Sequence, residues 1–205
     1  DTQSLQNGLA TFSHYCMGCH SLGYQRYERT AIDLGINLED MTRALVPEQK
    51  KIGDLGSIAM PAEQSAQWFG ISPPDLTLVA RKRSPEWIYT YMRSFYSDVS
   101  RPLGVDNLVY PKVGMPHVLE PLQGVQELNC DESGVCNKLV LVEGTGSLDK
   151  DEYDQTIRDL VNFLEYVGEP SKAKAHSVGV YVLFFIMIFF VFAYFLKREY
   201  WKDVH

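Results

Sequence analysis

The hexapeptide YCMGCH, from Tyr15 to His20, is the part of the sequence best suited to chemistry. Two residues separate Cys16 from Cys19, and His20 follows the second cysteine directly. Three kinds of site use such a group: a zinc ion bound by thiolates and imidazole, a redox-active dithiol, or a haem held by two thioethers with the histidine as axial ligand. Other parts of the sequence help to decide among them.

The cysteine spacing favours haem attachment. A structural zinc site needs four Cys or His ligands, usually in two close pairs, whereas Cys130 and Cys136 have five residues between them. A redox dithiol typically lies at the start of a helix that follows a strand, but here a helical pattern precedes the motif. Haem attachment, by contrast, uses both Cys16 and Cys19 together with His20.

A haem bound through His20 also requires a sixth ligand or an open position, and this choice separates electron transfer from chemistry on small ligands. Methionines inside the motif, on predicted helical faces or in the apolar C-terminal run are better explained by packing or position. Four candidates remain: Met60, Met115, His14 and His117.

The local sequence YPKVGMPH favours Met115 among these candidates. Gly114 permits close approach of the backbone and Pro116 restricts the chain. The segment also lies in a long irregular stretch, and such stretches are uncommon unless they have a function. His117, two residues further on, would give a haem of lower potential.

The first half of the chain is predicted to contain helices separated by loops. A helix with Ser4 as its N-cap leads the chain directly to Cys16. A second helix is predicted over NLEDMTRAL, which ends before Pro47. Residues 50–74 show no sustained period and are predicted to be loop.

Two further helices are predicted after this loop. Asp75 is expected to cap a short helix over LTLVARK, and Ser84 to cap a second helix that has Pro85 in its first turn. The second helix has an aromatic and apolar stripe at helical spacing, which indicates core packing. The stripe comprises Trp87, Ile88, Tyr91, Met92 and Phe95.

The last part of the soluble region combines loop, hairpin and helix. Residues 96–123 have neither a helical nor a strand period. The segments GVQEL and KLVLVE are predicted to pair as a β-hairpin. A capping box, Asp149 with Glu152, predicts a helix over 149–168.

The chain from Ser177 to Leu196 carries no charged residue. These twenty residues would span roughly 30 Å as a helix, which is the thickness of a bilayer core. We therefore predict one transmembrane helix. The expected divisions are a haem domain over 1–175, the transmembrane helix over 176–197 and a short tail over 198–205.

The charge of the chain argues against nucleic acid as a partner. Its net charge is −7, and 16 basic and 24 acidic residues precede Ser177, whereas nucleic-acid binding needs a basic surface. The segment from Glu127 to Asp154 holds eight carboxylates against Lys138 and Lys150. It predicts a docking surface for a basic partner, with a solvated acidic face as the alternative.

Four features in order resemble the bacterial cytochrome c1 family, the haem-bearing subunits of cytochrome bc1 complexes. They are the N-terminal CxxCH, the PPDL stretch at 73–76, the segment RPLG…VYPKVGMPHVL at 101–119 and the C-terminal apolar helix. The resemblance covers nearly the whole chain. It implies a mainly α c-type cytochrome domain with long loops and a small β-hairpin, plus one C-terminal transmembrane helix.

The resemblance also implies the cofactor and its ligands. One haem c would be attached covalently to Cys16 and Cys19, with His20 and Met115 as axial ligands of the iron. The PPDL stretch is expected near the haem. Relatives often carry an arginine before the ligand loop to meet a haem propionate, and here Arg101 is the remaining candidate.

The implied function is electron transfer from a Rieske iron–sulfur protein to a cytochrome c acceptor. The chain would be a subunit of a quinol:cytochrome c oxidoreductase, without an independent catalytic site. Its expected partners are the cytochrome b subunit, the Rieske protein, the acceptor and membrane lipid, in a dimeric complex. Two other functions remain open: a membrane-anchored donor to a terminal oxidase, and a haem sensor or peroxidase with an open sixth position.

The family resemblance further implies the location of the domain. Haem attachment takes place outside the cytoplasm, in an oxidising compartment where Cys130 and Cys136 are expected to form a disulfide. The haem domain would then lie on the periplasmic side of the bacterial inner membrane, with the tail inside. Three basic residues follow the span and two precede it, which agrees with this orientation.

Overall fold

The computed structural model describes residues 1–58, 60–131, 134 and 136–203. Helices dominate this part of the chain, as predicted. The helices are α1 (Thr2–Tyr15), α2 (Tyr27–Leu34), α3 (Leu38–Leu45), α4 (Ala62–Phe69), α5 (Val79–Arg83), α6 (Pro85–Met92), α7 (Glu120–Gln123), α8 (Lys150–Gly168) and α9 (Lys172–Tyr200).

The strands of the described residues form three small antiparallel sheets, each with two strands. Their pairs are β1 (Leu22–Arg26) with β2 (Leu55–Gly56), β3 (Phe95–Ser97) with β4 (Val105–Asn107), and β5 (Gln126–Cys130) with β6 (Cys136–Leu141). The last pair is the predicted hairpin.

Helix α1 packs closely along α8, and this contact forms the centre of the main core. A side chain at Gly8 would meet the carbonyl oxygen of Asp159 at 2.1 Å, so the two backbones almost touch. The rings of Phe12 and Phe163 lie with centroids 5.7 Å apart. The hydroxyl of Ser4 donates a hydrogen bond of 2.6 Å to Asp159. Helix α1 is therefore held firmly as it approaches the CxxCH motif.

Helix α8 begins with a capping box and also contacts α6 and the residue that follows it. The predicted capping box is confirmed: the Asp149 and Glu152 side chains accept hydrogen bonds from each other's backbone N–H groups at 2.9 and 3.0 Å. Arg93 forms a two-point ion pair with Asp154 at 2.5 and 2.8 Å. The Tyr153 hydroxyl donates to the backbone carbonyl at the end of α6. Helix α8 thus supports both α1 and α6.

Several local predictions are wrong. Asp1, not Ser4, caps α1, because the Asp1 carboxylate accepts from the Gln3 N–H while Ser4 is buried. The range 50–74, predicted as loop, contains β2 and the two-turn helix α4. The range 96–123 contains the last two residues of β3, all of β4 and helix α7. These elements are too short to show a sustained period.

The two helices predicted after this loop differ in part from their predictions. Asp75 does not cap α5, which begins at Val79; its carboxylate accepts from the N–H groups of Gly23 and Thr77 instead. Ser84 caps α6 as predicted, with its hydroxyl accepting from the Trp87 N–H. Phe95 lies beyond the end of α6, in β3.

Helix α9 contains the predicted membrane segment. Ser177–Tyr200 has a mean hydropathy of 2.6 and is long enough to cross a membrane. The helix begins at Lys172, earlier than the apolar run, and basic residues lie in its last turn. It belongs to a separate compact unit that begins after Gly168. The last two residues of the predicted tail lie outside the described residues.

Candidate haem site

The CxxCH motif forms a tight turn directly after α1. The N–H of Cys19 and that of His20 both donate to the Cys16 carbonyl, at 3.0 and 2.9 Å. Cys16 and His20 are buried and Cys19 is half-buried. Neither cysteine is in a disulfide. The turn therefore brings two free thiols and an imidazole into one short segment.

A backbone contact fixes the tautomer of His20. Its Nδ1 lies 2.8 Å from the carbonyl oxygen of Pro74. Because a carbonyl can only accept, Nδ1 carries the proton and Nε2 keeps its lone pair. Burial lowers the pKa of His20, partly offset by this hydrogen bond and by Asp75, so the imidazole is neutral. A neutral imidazole with a free Nε2 is the form that binds a metal.

The PPDL stretch runs beside the motif and holds this contact in place. The N–H of Leu76 donates to the Ser21 carbonyl at 2.9 Å. The Asp75 carboxylate accepts from the Gly23 N–H at 2.6 Å, and the Thr77 hydroxyl accepts from the Tyr24 N–H at 3.3 Å. The PPDL stretch is thus fastened to the residues that follow His20, and its Pro74 carbonyl orients the imidazole.

The Cys16 thiol has the wrong electrostatics for thiolate chemistry. Burial, with a contribution from Cys19, raises the pKa of Cys16 to about 12. A redox dithiol needs a thiol whose pKa is lowered. The described residues also contain no group of three or more His, Cys, Asp or Glu side chains arranged to hold a metal ion. The donors fit covalent haem attachment better than either alternative.

Apolar side chains surround His20 on one side. The imidazole lines a cavity whose other walls are mostly aliphatic and aromatic. These walls include Leu9, Phe12, Met17, Leu22, Met41, Leu45 and Phe163. The cavity has a volume of about 30 Å³, which is room for one or two water molecules, so it marks the apolar surroundings of His20 and is not a pocket of porphyrin size.

Met115 lies in a loop that is held by buried polar residues. Asn107, fully buried, donates to the Tyr91 carbonyl at 2.8 Å, and its side-chain oxygen accepts from the N–H groups of Val109 and Tyr110 at 2.9 and 3.1 Å. Asp106 accepts from the Val113 N–H at 3.1 Å. Neither residue had a predicted role, and the structure shows that they shape the loop.

Arg101 is paired within the protein. Its Nε lies 3.8 Å from a carboxylate oxygen of Asp106, and this nitrogen has no hydrogen-bond partner among the described residues. Arg101 thus stands next to the carboxylate that holds Val113, and its role as a propionate partner stays a prediction.

The aromatic stripe packs against the loop over residues 108–119 that carries the candidate ligand Met115, called the ligand loop below. Tyr110 makes an edge contact with Trp87 at 6.4 Å, the Tyr91 hydroxyl donates to Met115 Sδ at 3.5 Å, and His117 stacks on Phe95 at 4.7 Å. Three loop residues therefore contact three members of the stripe that lie four residues apart in the sequence. The core-packing interpretation holds for Ile88 and Met92, which are buried in the main core.

Met115 itself is half-buried between two apolar clusters. One is the main core, which includes Cys16. The other is a small cluster of Phe95, Val105 and Val113. A side chain at Gly114 would meet Ile71 at 3.1 Å, which agrees with the close approach predicted there. Met115 and the first thiol of the motif therefore border the same core.

The other ligand candidates lie in different settings. His14 is exposed on α1, with Nδ1 at 2.7 Å from the Ala10 carbonyl. Met60 is half-buried near the start of α4. His117 is buried, and neither of its ring nitrogens has a hydrogen-bond partner among the described residues; burial lowers its pKa to about 4. His117 is thus the alternative closest to Met115.

The hairpin tip carries the second cysteine pair. The structure joins Cys130 and Cys136 in a disulfide that closes β5 onto β6. Glu127, Asp131 and Glu143 are exposed around this hairpin, while Glu132 of the predicted acidic surface lies outside the described residues. At the other end of β5, Gln126 donates to the carbonyls of Arg93 and Phe95.

The CxxCH turn, the oriented imidazole and the long apolar C-terminal helix are together typical of a membrane-anchored c-type cytochrome. A model of the "Cytochrome C1 family" matches residues 136–204. The chain is 49% identical over its whole length to a protein named cytochrome c1 from Allochromatium vinosum, covering 86% of that relative. It is 26% identical to cytochrome c1 of Rhodospirillum rubrum, covering 83%.

Another relative carries a different name. The chain is 42% identical to a Nitrosomonas europaea protein named ammonia monooxygenase gamma subunit, over the whole chain and 85% of that relative. The identity to the Allochromatium protein is higher, and the match covers a similar share of both chains. This chain belongs to the cytochrome c1 family. Membership of this family supports the assignment of the chain as a haem-bearing electron-transfer subunit of a bc1-type complex.

Proposed function

We propose that this protein passes single electrons from a Rieske iron–sulfur protein to a cytochrome c acceptor, as a subunit of a quinol:cytochrome c oxidoreductase. One covalently bound haem c supplies the one-electron couple. The observation that carries the proposal is the His20 imidazole, neutral and oriented by Pro74, in the CxxCH turn of a cytochrome c1 family member.

The residues of the site divide the work of holding the cofactor. Cys16 and Cys19 would form the two thioether links, and His20 Nε2 and Met115 Sδ would bind the iron. Two fixed ligands would suit electron transfer rather than binding of small molecules. The protein contributes no catalytic site of its own.

The proposal extends to the setting of each part of the chain. Residues 1–175 form the haem domain on the periplasmic side, 176–197 cross the bacterial inner membrane and 198–205 form a cytoplasmic tail. Cytochrome b and lipid would contact the anchor, and the complex would be dimeric. The exposed acidic side chains near the hairpin would dock a basic acceptor.

Purification of the full chain from membranes tests the assignment of the complex. The expected result is co-purification with a haem b protein and a Rieske protein, with quinol oxidation by the assembled complex. Isolation with a copper–haem oxidase would instead identify a donor to a terminal oxidase. Isolation with an ammonia-oxidising enzyme would show that the name of the Nitrosomonas relative fits this chain as well.

Paired substitutions test the sixth ligand in the full-length protein. Met115→Leu is expected to abolish the near-infrared sulfur-to-iron charge-transfer band, whereas His117→Leu leaves it unchanged. The reverse pattern would assign the ligand to His117. Rapid binding of carbon monoxide to the reduced wild-type protein would contradict six-coordination and favour a sensor or peroxidase.

A further inference from the structure

We propose that Tyr91 is a positioning residue that sets the electron-donor strength of Met115 through a hydrogen bond to its sulfur. This inference rests on the proposed function, in which Met115 Sδ binds the haem iron. The Tyr91 hydroxyl donates to Met115 Sδ at 3.5 Å, within the range for bonds to sulfur. Among the described residues this is the only hydrogen bond that the hydroxyl makes.

The phenol ring of Tyr91 is immobilised on both sides. It stacks on Trp87 with centroids 5.0 Å apart and planes inclined by 10°. Phe95 packs edge-on against it at 5.1 Å. The Tyr91 carbonyl accepts from the buried Asn107 side chain. The position of the hydroxyl is therefore fixed by contacts that do not involve Met115.

A thioether sulfur can serve two partners at once. It has two lone pairs, so one can accept the hydrogen bond while the other binds a metal. The hydroxyl withdraws electron density from the sulfur, and this withdrawal weakens donation to the oxidised metal more than to the reduced metal. The hydrogen bond from Tyr91 to Met115 therefore favours the reduced state and raises the reduction potential.

Tyr91→Phe tests this effect because it removes only the hydroxyl and keeps the ring contacts. The midpoint potential is measured by redox titration of the full-length protein in its purified complex. One neutral hydrogen bond changes an equilibrium about fivefold. We expect the equilibrium constant for reduction to fall by about that factor, or about 40 mV for one electron, with the charge-transfer band retained but shifted.

A matched control and a second variant separate this effect from damage to the fold. Tyr89→Phe removes a hydroxyl on the same helix. This hydroxyl contacts Arg158, and its loss should leave the reduction potential unchanged. 3-Fluorotyrosine placed at position 91 makes the hydroxyl a stronger donor and should raise the potential. The fluorinated protein decides the question if Tyr91→Phe yields no haem-loaded protein.

The outcomes distinguish the two levels of the proposal. If Met115→Leu abolishes the charge-transfer band but Tyr91→Phe leaves the potential and the band at their wild-type values, the role of Tyr91 is refuted and the ligand assignment stands. If Met115→Leu keeps the band, the ligand assignment fails, and the inference about Tyr91 fails with it.

Discussion

The contact between α1 and α8 should be sensitive to one methyl group at Gly8. In Gly8→Ala the new carbon would lie 2.1 Å from the Asp159 carbonyl oxygen and 2.6 Å from the Cβ of Phe163. Ordinary contact begins near 3.4 Å, so α1 must move by about 1.3 Å. Both obstacles are close to the backbone of α8, which cannot rotate away as the end of a side chain could.

Two opposing effects decide the sign of the change. Alanine stabilises a helix by about 1 kcal/mol relative to glycine. Overpacking costs about 1–3 kcal/mol, and a displaced α1 also strains the buried hydrogen bond between Ser4 and Asp159, which contributes about 1 kcal/mol. The clash prevails, so we expect a net loss of about 2 kcal/mol, or about 4–8 °C in melting temperature for a chain of this size.

Thermal melting of the haem-loaded, detergent-solubilised chain measures this loss. Ala10→Gly is the control, because Ala10 is exposed on the same helix and its change removes helix propensity without creating a clash. It should cost about 1 kcal/mol. A Gly8→Ala protein that melts at or above the wild-type temperature would refute the close packing of α1 on α8.

Two other predictions concern the ligand loop and the acidic surface. Asn107→Ala leaves three backbone groups without their partners, so we expect a loss of about 2–4 kcal/mol and of the charge-transfer band; a wild-type band and melting temperature would show that the loop does not need Asn107. Neutralising Glu127, Asp131 and Glu143 of the acidic surface should weaken the salt dependence of electron transfer to a basic acceptor. Neutralising the exposed residues Glu28, Glu39 and Glu63 elsewhere should not. Equal effects of the two sets would show that the acidic surface is only a solvated face.

The predictions that succeeded rest on information contained within a few neighbouring residues. The capping box of Asp149 with Glu152, the Ser84 cap and the hairpin strands each have local signals that tertiary contacts did not override. The long apolar run of α9 is equally local. In each case the sequence pattern and the final packing favour the same element, which is why short-range reasoning was sufficient.

Two of the predictions that failed involve partners distant in the sequence. Ser4 has the chemistry of an N-cap, yet its hydroxyl bonds Asp159, 155 residues later. Asp75 likewise accepts from Gly23, which is 52 residues earlier. A polar side chain suited to a local cap is equally suited to a buried tertiary contact, and the sequence alone does not distinguish the two.

The aromatic stripe shows why the site was only partly predictable. The helical spacing of Trp87 and Tyr91 indicates an apolar face, but it cannot say what covers that face. The cover is the ligand loop, which has no period of its own because the Asn107 side chain, not a backbone ladder, holds its shape. Motif reasoning favoured Met115 as the ligand in this loop, which stays a prediction, yet the hydroxyl that contacts its sulfur belongs to a residue assigned to packing. Ligands of a cofactor can thus be proposed from a short motif, whereas the residues that tune them depend on how separate segments meet.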